Sequence, residues 1–140
     1  MPRHKTTPSA LIKAASAARR HAVAPYSRFK VGAALLTAGG KVVTGTNVES
    51  ASYGLTCCAE RVALFKALSE GHTVFVAIAV VATVPGGPMP CGACRQLLAE
   101  YAPNAVVWVA DSRRTGKMRK FTVSDLLPQP FGAAALQKTV

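Results

Sequence analysis

The sequence has no hydrophobic run long enough to cross a membrane and no recognisable export signal. Its longest apolar stretch, residues 74–84, falls far short of the roughly 20 residues that a membrane-spanning helix requires. The charged residues 1–5 are not followed by the apolar segment of a signal peptide. We therefore expect a cytoplasmic protein, in which thiols stay reduced and clustered cysteines serve metals or catalysis more often than disulfides.

Acidic and aromatic residues are also scarce. Six Asp and Glu residues stand against 17 Lys and Arg, so the net charge is +11, which can attract nucleic acid or other anions. Part of this charge is concentrated in a predicted turn, at Arg113, Arg114, Lys117, Arg119 and Lys120. We interpret the turn as solvated charge, because no aromatic residues alternate with the cations as a stacking platform for nucleic acid requires. The excess charge has no other explanation in the sequence.

Length predicts a single domain, residues 1–140, with a real hydrophobic core. Half of the residues are apolar, and the mean hydropathy of +0.25 is high for a small monomer. This surplus fits either buried oligomer interfaces or a core rich in alanine and valine, and composition does not distinguish the two. No internal repeat, low-complexity segment or linker divides the chain.

Hydrophobic periodicity predicts an alternation of helices and strands. A first helix begins at Thr7-Pro8 and ends at Pro25, and two further helices are predicted at residues 60–70 and 92–101. The apolar positions of the second helix surround it, so we expect it to be deeply buried. Ser124 is predicted to cap a short final helical turn.

The strand pattern predicts a hairpin followed by three further strands. Residues 31–37 and 41–47 form the hairpin around Gly39-Gly40. The remaining strands are a central one at residues 73–83, a buried one at 105–110 and an edge strand at 118–123. This order predicts an α/β fold with a mixed sheet covered by helices on both faces.

The most informative feature is a pair of short segments, Cys58-Ala59-Glu60 and Pro90-Cys91-Gly92-Ala93-Cys94. Three thiols and one carboxylate in this pattern are typical of zinc deaminases that act on nucleobases. Each segment lies where a loop or strand meets a helix, and a helix N-terminus favours thiolate over thiol. Two facing helix starts would hold Zn²⁺ through Cys58, Cys91 and Cys94 and leave the fourth position to a catalytic water.

Glu60 is predicted to carry protons from this water to the ring nitrogen and then to the departing amine, which requires a pKa raised toward neutrality. The structural alternative is a carboxylate that only compensates the helix dipole. Three thiolates exceed the charge of the metal, and we expect Arg61 to offset this excess rather than to be a simple surface residue. Cys57 would close the metal to water as a fourth ligand, but neighbouring side chains rarely both point inward, so we interpret it as a small buried hydrophobe. His4, His21 and His72 show no ligand spacing.

With these motifs in place, the chain resembles the cytidine deaminase family, specifically its short, homotetrameric branch that acts on free nucleosides. The resemblance extends from about residue 24 to residue 131. The matching stretches are APYSRFKVGAA at residues 24–34, GTNVE at 45–49, CAERVALF at 58–65, PCGACRQ at 90–96 and LLP at 126–128. Thr46 and Ser50 depart from residues common in the family, and Pro130 leaves the path of the C-terminal tail open.

The resemblance implies a three-layer α-β-α fold with a five-stranded mixed sheet, and deamination of cytidine and deoxycytidine to uridine and deoxyuridine in pyrimidine salvage. It implies that Phe29 packs against the pyrimidine and that the backbone of Ala59 and Cys91 contacts the base. It also implies that Asn47 and Glu49 bind the ribose hydroxyls; two residues apart on an extended segment, they share one face. The resemblance also implies that the three cysteines bind zinc, that Glu60 is the proton shuttle and that Arg61 hydrogen-bonds the thiolates. Tyr53 and Phe131 resemble residues that reach a neighbouring subunit's site in a tetramer with shared active sites.

Three other functions compete with deamination of a free nucleoside, and each would require a feature that the sequence does not favour. A deaminase of polynucleotides would place a phosphate where the Glu49 carboxylate would repel it. A zinc-stabilised module that binds nucleic acid without catalysis would have four closed ligands at short spacing. A deaminase of an aminonucleoside antibiotic is disfavoured by the Asn47-x-Glu49 pair, which suits a ribose-like or deoxyribose-like sugar. The sequence does not rank cytidine against deoxycytidine.

Overall fold

The computed structural model of the protein describes residues 6–136 and arranges them around one five-stranded sheet, which confirms the predicted mixed sheet. The strands run in the spatial order β2-β1-β3-β4-β5. Only β3 and β4 pair in parallel, and the other neighbours are antiparallel. Their bounds are Val31–Thr37 (β1), Val42–Thr46 (β2), Phe75–Ala82 (β3), Val106–Asp111 (β4) and Arg119–Thr122 (β5). His4 lies outside the described residues.

In the described part of the chain, four α-helices cover the two faces of this sheet and complete the three layers. Helix α1 packs on one face through Leu11, Ile12 and Ala15, whereas α2 and α3 pack on the other through residues such as Leu64 and Leu98. The helices are α1 (Pro8–Arg19), α2 (Ala59–Ser69), α3 (Gly92–Tyr101) and α4 (Val123–Leu126), with 3-10 turns at Tyr53–Leu55 and Ala133–Leu136. No helix among the described residues is long and apolar enough to cross a membrane.

Strand β3 is the central strand that its β-branched sequence predicts. Its side chains alternate between the two faces, with Ile78 and Val80 in the core under α2 and α3, and Ala79 and Val81 in the core under α1. The parallel step from β3 to β4 passes through residues 83–91 and α3. The loop that precedes Cys91 therefore leaves the carboxyl end of the central strand, where open α/β sheets bind their ligands.

Three local expectations were wrong. Helix α1 ends at Arg19 instead of extending to Pro25, because Val23 turns away to donate its N–H to the Asn47 carbonyl at 3.0 Å. Thr122, rather than Ser124, caps α4, because its side chain and that of Asp125 form a reciprocal capping box. Helix α2 is buried on one side only, and the Phe65 side chain on its outer side is 45% exposed.

Candidate active site

Two helix N-termini bring three thiols into one cluster. Cys58 is the N-cap of α2, Cys91 is the N-cap of α3, and Cys94 lies in the first turn of α3 and is 1% exposed. The Sγ atoms of Cys58 and Cys91 are 3.7 Å apart, those of Cys91 and Cys94 are 3.5 Å apart, and all three lie within 4.8 Å of one another. Tetrahedral zinc with sulfur ligands at about 2.3 Å separates its sulfurs by about 3.8 Å. The three thiols are therefore close enough to one another to bind a single zinc ion.

Arg61 supplies positive charge to the thiol cluster. Its Nη2 lies 3.5 Å from the Cys58 Sγ and donates to the Thr56 carbonyl at 3.3 Å, while its Nε is buried without a partner in the described structure. Bonds from the Cys94 thiol and from Arg61 lower the pKa of Cys58 well below its usual value. A partly buried guanidinium needs a counter-charge, and thiolates provide it. This pairing suits a site whose sulfurs are ionised by a metal.

Glu60 is a buried carboxyl group beside the same cluster. It lies in the first turn of α2 and is only 5% exposed. Burial raises the pKa of Glu60 to about 7, with a further contribution from the charge on Cys58. A carboxyl group with such a pKa can both accept and release a proton near neutral pH.

A cavity of about 240 Å³ opens onto the thiol cluster. We call the part formed by Cys58, Glu60 and Cys91 the thiol end, and the part formed by Ser27, Asn47 and Glu49 the loop end. The remaining lining residues are Phe29, Val31, Thr56, Ala59, Pro88 and Met89. The fold thus brings to one cavity most of the site residues that the sequence predicts.

The loop end is held together by hydrogen bonds between residues 47–49 and residues 26–31. The Asn47 side chain accepts from the Val31 N–H at 2.8 Å and donates to the Phe29 carbonyl at 2.7 Å. Glu49 accepts from the N–H groups of Tyr26 and Ser27, both at 3.0 Å, and from the Ser27 hydroxyl. The bonds from Ser27 lower the pKa of Glu49, so this carboxylate is ionised at neutral pH. Both residues therefore shape the segment that carries Phe29.

Ser27 is a site residue that the sequence reasoning missed. Besides its bonds to Glu49, the Ser27 hydroxyl accepts from the Phe29 N–H at 3.0 Å. It therefore links the Glu49 carboxylate to the backbone of Phe29. Arg28, between Ser27 and Phe29, adopts a left-handed backbone conformation with a φ of 60°. A serine two residues before an N–H is a common turn arrangement, but no sequence signal pairs it with a glutamate 22 positions later.

Tyr53 and Phe131 do not line this cavity in the single chain. Tyr53 is 76% exposed and lies with Tyr26, Ser27, Glu49 and Thr56 around an adjoining cavity of about 380 Å³. Phe131 is 60% exposed, and its carbonyl accepts from the Gln96 side chain at 2.6 Å. The chain therefore still contacts α3 at Phe131, directly after Pro130.

Cys57, His21 and His72 are not members of the thiol cluster. The backbone of Cys57 pairs with Val48 instead, with both N–H···O bonds at 2.9 Å, and its side chain is partly buried. Burial raises the pKa of the Cys57 thiol, opposite to the change at Cys58. Two adjacent cysteines thus have different environments, as expected if only one faces the cluster.

Comparisons with known proteins agree with this geometry. Residues 5–110 match a family model described as the cytidine and deoxycytidylate deaminase zinc-binding region. A cytidine deaminase of Halalkalibacterium halodurans is 55% identical over 124 residues, which cover 88% of this chain and 92% of that protein. The 1.6 Å crystal structure of cytidine deaminase from Burkholderia pseudomallei matches with a TM-score of 0.85 and 53% identity, over 89% of this chain and 99% of that one. A blasticidin-S deaminase of Bacillus cereus is more distant, at 31% identity over 75% of this chain and 79% of that protein.

Proposed function

Because this chain belongs to the cytidine and deoxycytidylate deaminase family, we propose that it hydrolyses cytidine and deoxycytidine to uridine and deoxyuridine, a reaction of pyrimidine salvage. One observation carries the proposal: three sulfurs lie within 4.8 Å of one another, and two of them, on Cys58 and Cys91, line the end of a cavity together with the buried carboxyl group of Glu60. This donor set leaves one position of a tetrahedral zinc ion for water.

Cys58, Cys91 and Cys94 would hold the zinc ion of this family. When bound, zinc acidifies a water molecule so that hydroxide is available near neutral pH. Arg61 stabilises the thiolate form of Cys58 through the contact at 3.5 Å. By withdrawing negative charge from the sulfur ligands, the guanidinium preserves the acidity that the reaction needs.

Glu60 would move the protons of the hydrolysis. It accepts one proton from the attacking water and delivers it to N3 of the pyrimidine, while the water oxygen bonds to C4. It then takes the second proton from the new hydroxyl group and gives it to the amino group, which leaves as ammonia while C4 becomes a carbonyl carbon. Both water protons are thus accounted for, one on N3 and one on ammonia. The low exposure of Glu60 keeps bulk solvent away from these transfers.

The loop end would bind the nucleoside. Phe29 lines the cavity and offers an apolar face to the pyrimidine, and Ala59 lies at the first position of α2, where backbone N–H groups lack helical partners. Asn47 and Glu49 would bind the ribose hydroxyls through the side-chain sites that the loop bonds leave open. Since both side chains are already oriented by residues 26–31, little rotamer entropy is lost on binding.

The same geometry favours a free nucleoside over the rival substrates. A phosphate attached to the sugar near Glu49 would meet an ionised carboxylate whose pKa is lowered by Ser27. The matched blasticidin-S deaminase makes an aminonucleoside antibiotic the second candidate, but its identity of 31% is well below the 55% of the cytidine deaminase relative.

An ultraviolet assay on zinc-quantified protein tests the proposal. We expect turnover of cytidine and deoxycytidine, little turnover of cytosine and none of cytidine monophosphate. Glu60→Gln should keep one zinc per chain and lose activity by about a thousandfold or more. Glu100→Gln, the same change at an exposed carboxylate bonded to Gln96 at 2.8 Å, is the control and should stay fully active. Full turnover by Glu60→Gln would remove Glu60 from its role.

We further propose a homotetramer in which subunits share active sites. Tyr53 and Phe131 support it, because these large aromatic side chains are 76% and 60% exposed in the single chain. Light scattering coupled to size-exclusion chromatography tests the oligomeric state. A fully active monomer would contradict the proposal of shared active sites. Mixed oligomers of Glu60→Gln and Tyr53→Ala chains should recover part of the activity that each variant lacks.

The location and domain organisation are proposals of the same kind. A cytoplasmic location suits the reduced thiols that zinc binding requires, and cell fractionation of the native protein tests it. One catalytic domain, residues 1–140, is supported by the single sheet that joins all five described strands. A stable active proteolytic fragment lacking one face of that sheet would contradict it.

A further inference from the structure

A basic cavity of about 590 Å³ lies at the edge of the sheet opposite the hairpin. Four cationic side chains line it, together with one carboxylate and the loop residues Pro85 and Gly86. The charged residues are Arg113, Arg114, Lys117, Arg119 and Asp111. A volume of this size lies in the range of small-molecule sites, and the proposed deamination of a neutral nucleoside does not use it.

Two successive turns bring the cations to this place. The Arg114 N–H donates to the Asp111 carbonyl at 2.9 Å, and the Lys117 N–H donates to the Arg114 carbonyl at 3.0 Å. The opposite wall is the loop that follows β3. Gly87 fixes that wall with a φ of 85° and lies so close to β4 that an added Cβ would be 2.6 Å from the Ala110 nitrogen. The cavity is therefore formed by ordered backbone.

The cations of this cavity are not neutralised by the rest of the described chain. Asp111 is engaged by Arg113, whose Nη2 and Nε donate to its two carboxylate oxygens at 2.8 and 3.0 Å. The other five of the six acidic residues lie elsewhere: Glu49, Glu60, Glu70, Glu100 and Asp125. Among the described residues, Arg114 and Lys117 form no salt bridge. Four cations and one carboxylate leave a net charge of +3 on the lining.

We propose that this cavity is a second ligand site, specific for a small molecule that carries two or three phosphate groups. Arginine and lysine side chains converging on one concave surface match clustered phosphate oxygens, because each N–H donates a charge-assisted hydrogen bond. A single phosphate would leave much of the positive charge unpaired.

A nucleic acid strand is the less suitable ligand. The aromatic rings of this region are already covered by cations, with Lys120 5.7 Å from the centre of the Trp108 ring and Arg119 5.0 Å from that of Phe121. These rings are therefore not free to stack on bases, and single-strand binding depends on such stacking.

The site is distinct from the catalytic cavity but lies along the same loop. Pro85 and Gly86 line the basic cavity, and Pro88 and Met89 line the catalytic one just before Cys91. A bound triphosphate should therefore leave the catalytic cavity free for nucleoside. Because the two cavities share no lining residue, triphosphate bound in the basic cavity can be told apart from triphosphate bound to the zinc ion by competition with cytidine.

Isothermal titration calorimetry of the zinc-loaded protein with inorganic triphosphate tests the proposal. The titration is done at constant ionic strength, and the zinc content is measured afterwards. We expect Arg114→Gln/Lys117→Gln to weaken binding by at least about tenfold. The control Lys13→Gln/Arg20→Gln removes the same charge from the neighbouring groove on α1 and should change binding by less than about twofold. All four side chains are exposed, so both variants should fold and deaminate cytidine normally.

Three outcomes would overturn the proposal. The first is equal weakening by the two double variants, which would show a diffuse charge effect. The second is displacement of triphosphate by saturating cytidine, which would place it at the catalytic site. The third is tighter binding of a single-stranded oligonucleotide than of triphosphate, which would identify a nucleic acid surface. Failure of the deamination assay alone would leave the phosphate site intact, so the two proposals fail separately.

Discussion

The two ends of the catalytic cavity are built in different ways. The thiol end depends on the N-termini of α2 and α3, where Cys58 and Cys91 are the N-caps and Glu60 lies in the first turn of α2. The loop end depends on hydrogen bonds between two irregular segments, residues 26–31 and 47–49. Helix starts position a metal ligand through local backbone geometry, whereas the loop end needs contacts between distant parts of the chain. The first arrangement is suited to holding an ion and the second to recognising a sugar.

Removal of one thiol should have the largest effect. Cys91→Ser should lose the zinc ion and lower cytidine turnover by about a thousandfold or more, because two protein ligands do not form a stable tetrahedral site. Metal analysis and the ultraviolet assay measure both losses. Cys57→Ser is the matched control and should keep zinc and activity, since Cys57 is outside the cluster. A variant at Cys91 that retains one zinc per chain would exclude Cys91 as a ligand.

A change at the loop end should affect the substrate and spare the metal. Ser27→Ala removes the hydroxyl that contacts both Glu49 and the Phe29 N–H. We expect kcat/KM for cytidine to fall by about tenfold, mostly through KM, with zinc content unchanged. Ser27→Thr should recover part of the loss. The same truncation at Ser69, whose hydroxyl bonds the Lys66 carbonyl at 2.9 Å, should have no effect on KM. A fall in kcat alone would contradict a positioning role for Ser27.

Gly45 lies in β2, between the two ends of the catalytic cavity. Strand β2 leads to Asn47 at the loop end and packs against α2, which begins after Cys58 at the thiol end. A Cβ at Gly45 would lie 2.5 Å from the Ala63 nitrogen and 2.6 Å from the Ala59 carbonyl oxygen. Gly45→Ala should therefore push α2 from β2 and lower the free energy of unfolding by about 2 kcal/mol, with a loss of activity. Thermal and denaturant unfolding measure this change. Gly116→Ala, which meets no atom within 4 Å, should leave stability nearly unchanged. Equal stability of the two variants would show that α2 adapts freely.

The smallest effect is expected at a position that touches neither end. Thr122→Ala removes the cap of α4 and should cost about 1 kcal/mol in unfolding free energy. Ser124→Ala, at the residue that the sequence suggested as the cap, should cost clearly less. Both variants should keep the KM of the parent protein. The reverse order of stabilities would contradict the observed capping box.

The strand segments and the three clustered thiols follow closely from the sequence. The long β-branched run at residues 73–83 marks β3 as the central strand, and the Cys-x-x-Cys spacing places two thiols on one helix start. The end of α1 does not follow in this way, because Val23 leaves the helix to pair with residues 47–49. The exposure of Phe65 was also missed, since an apolar side chain on an outer helix face looks the same in sequence as one in the core.

The sequence by itself determined the order of the helices and strands and the short motifs that contain the three thiols and the carboxylate, because these depend on spacing over a few residues. Only the tertiary structure decided that Ser27 contacts Glu49, that Tyr53 and Phe131 stay outside the cavity of their own chain, and that the cations near residue 114 share one concavity with Gly86. Those arrangements join segments that are 22 or more residues apart. Their relative positions are set by how the strands pair and the helices pack, which no local pattern encodes.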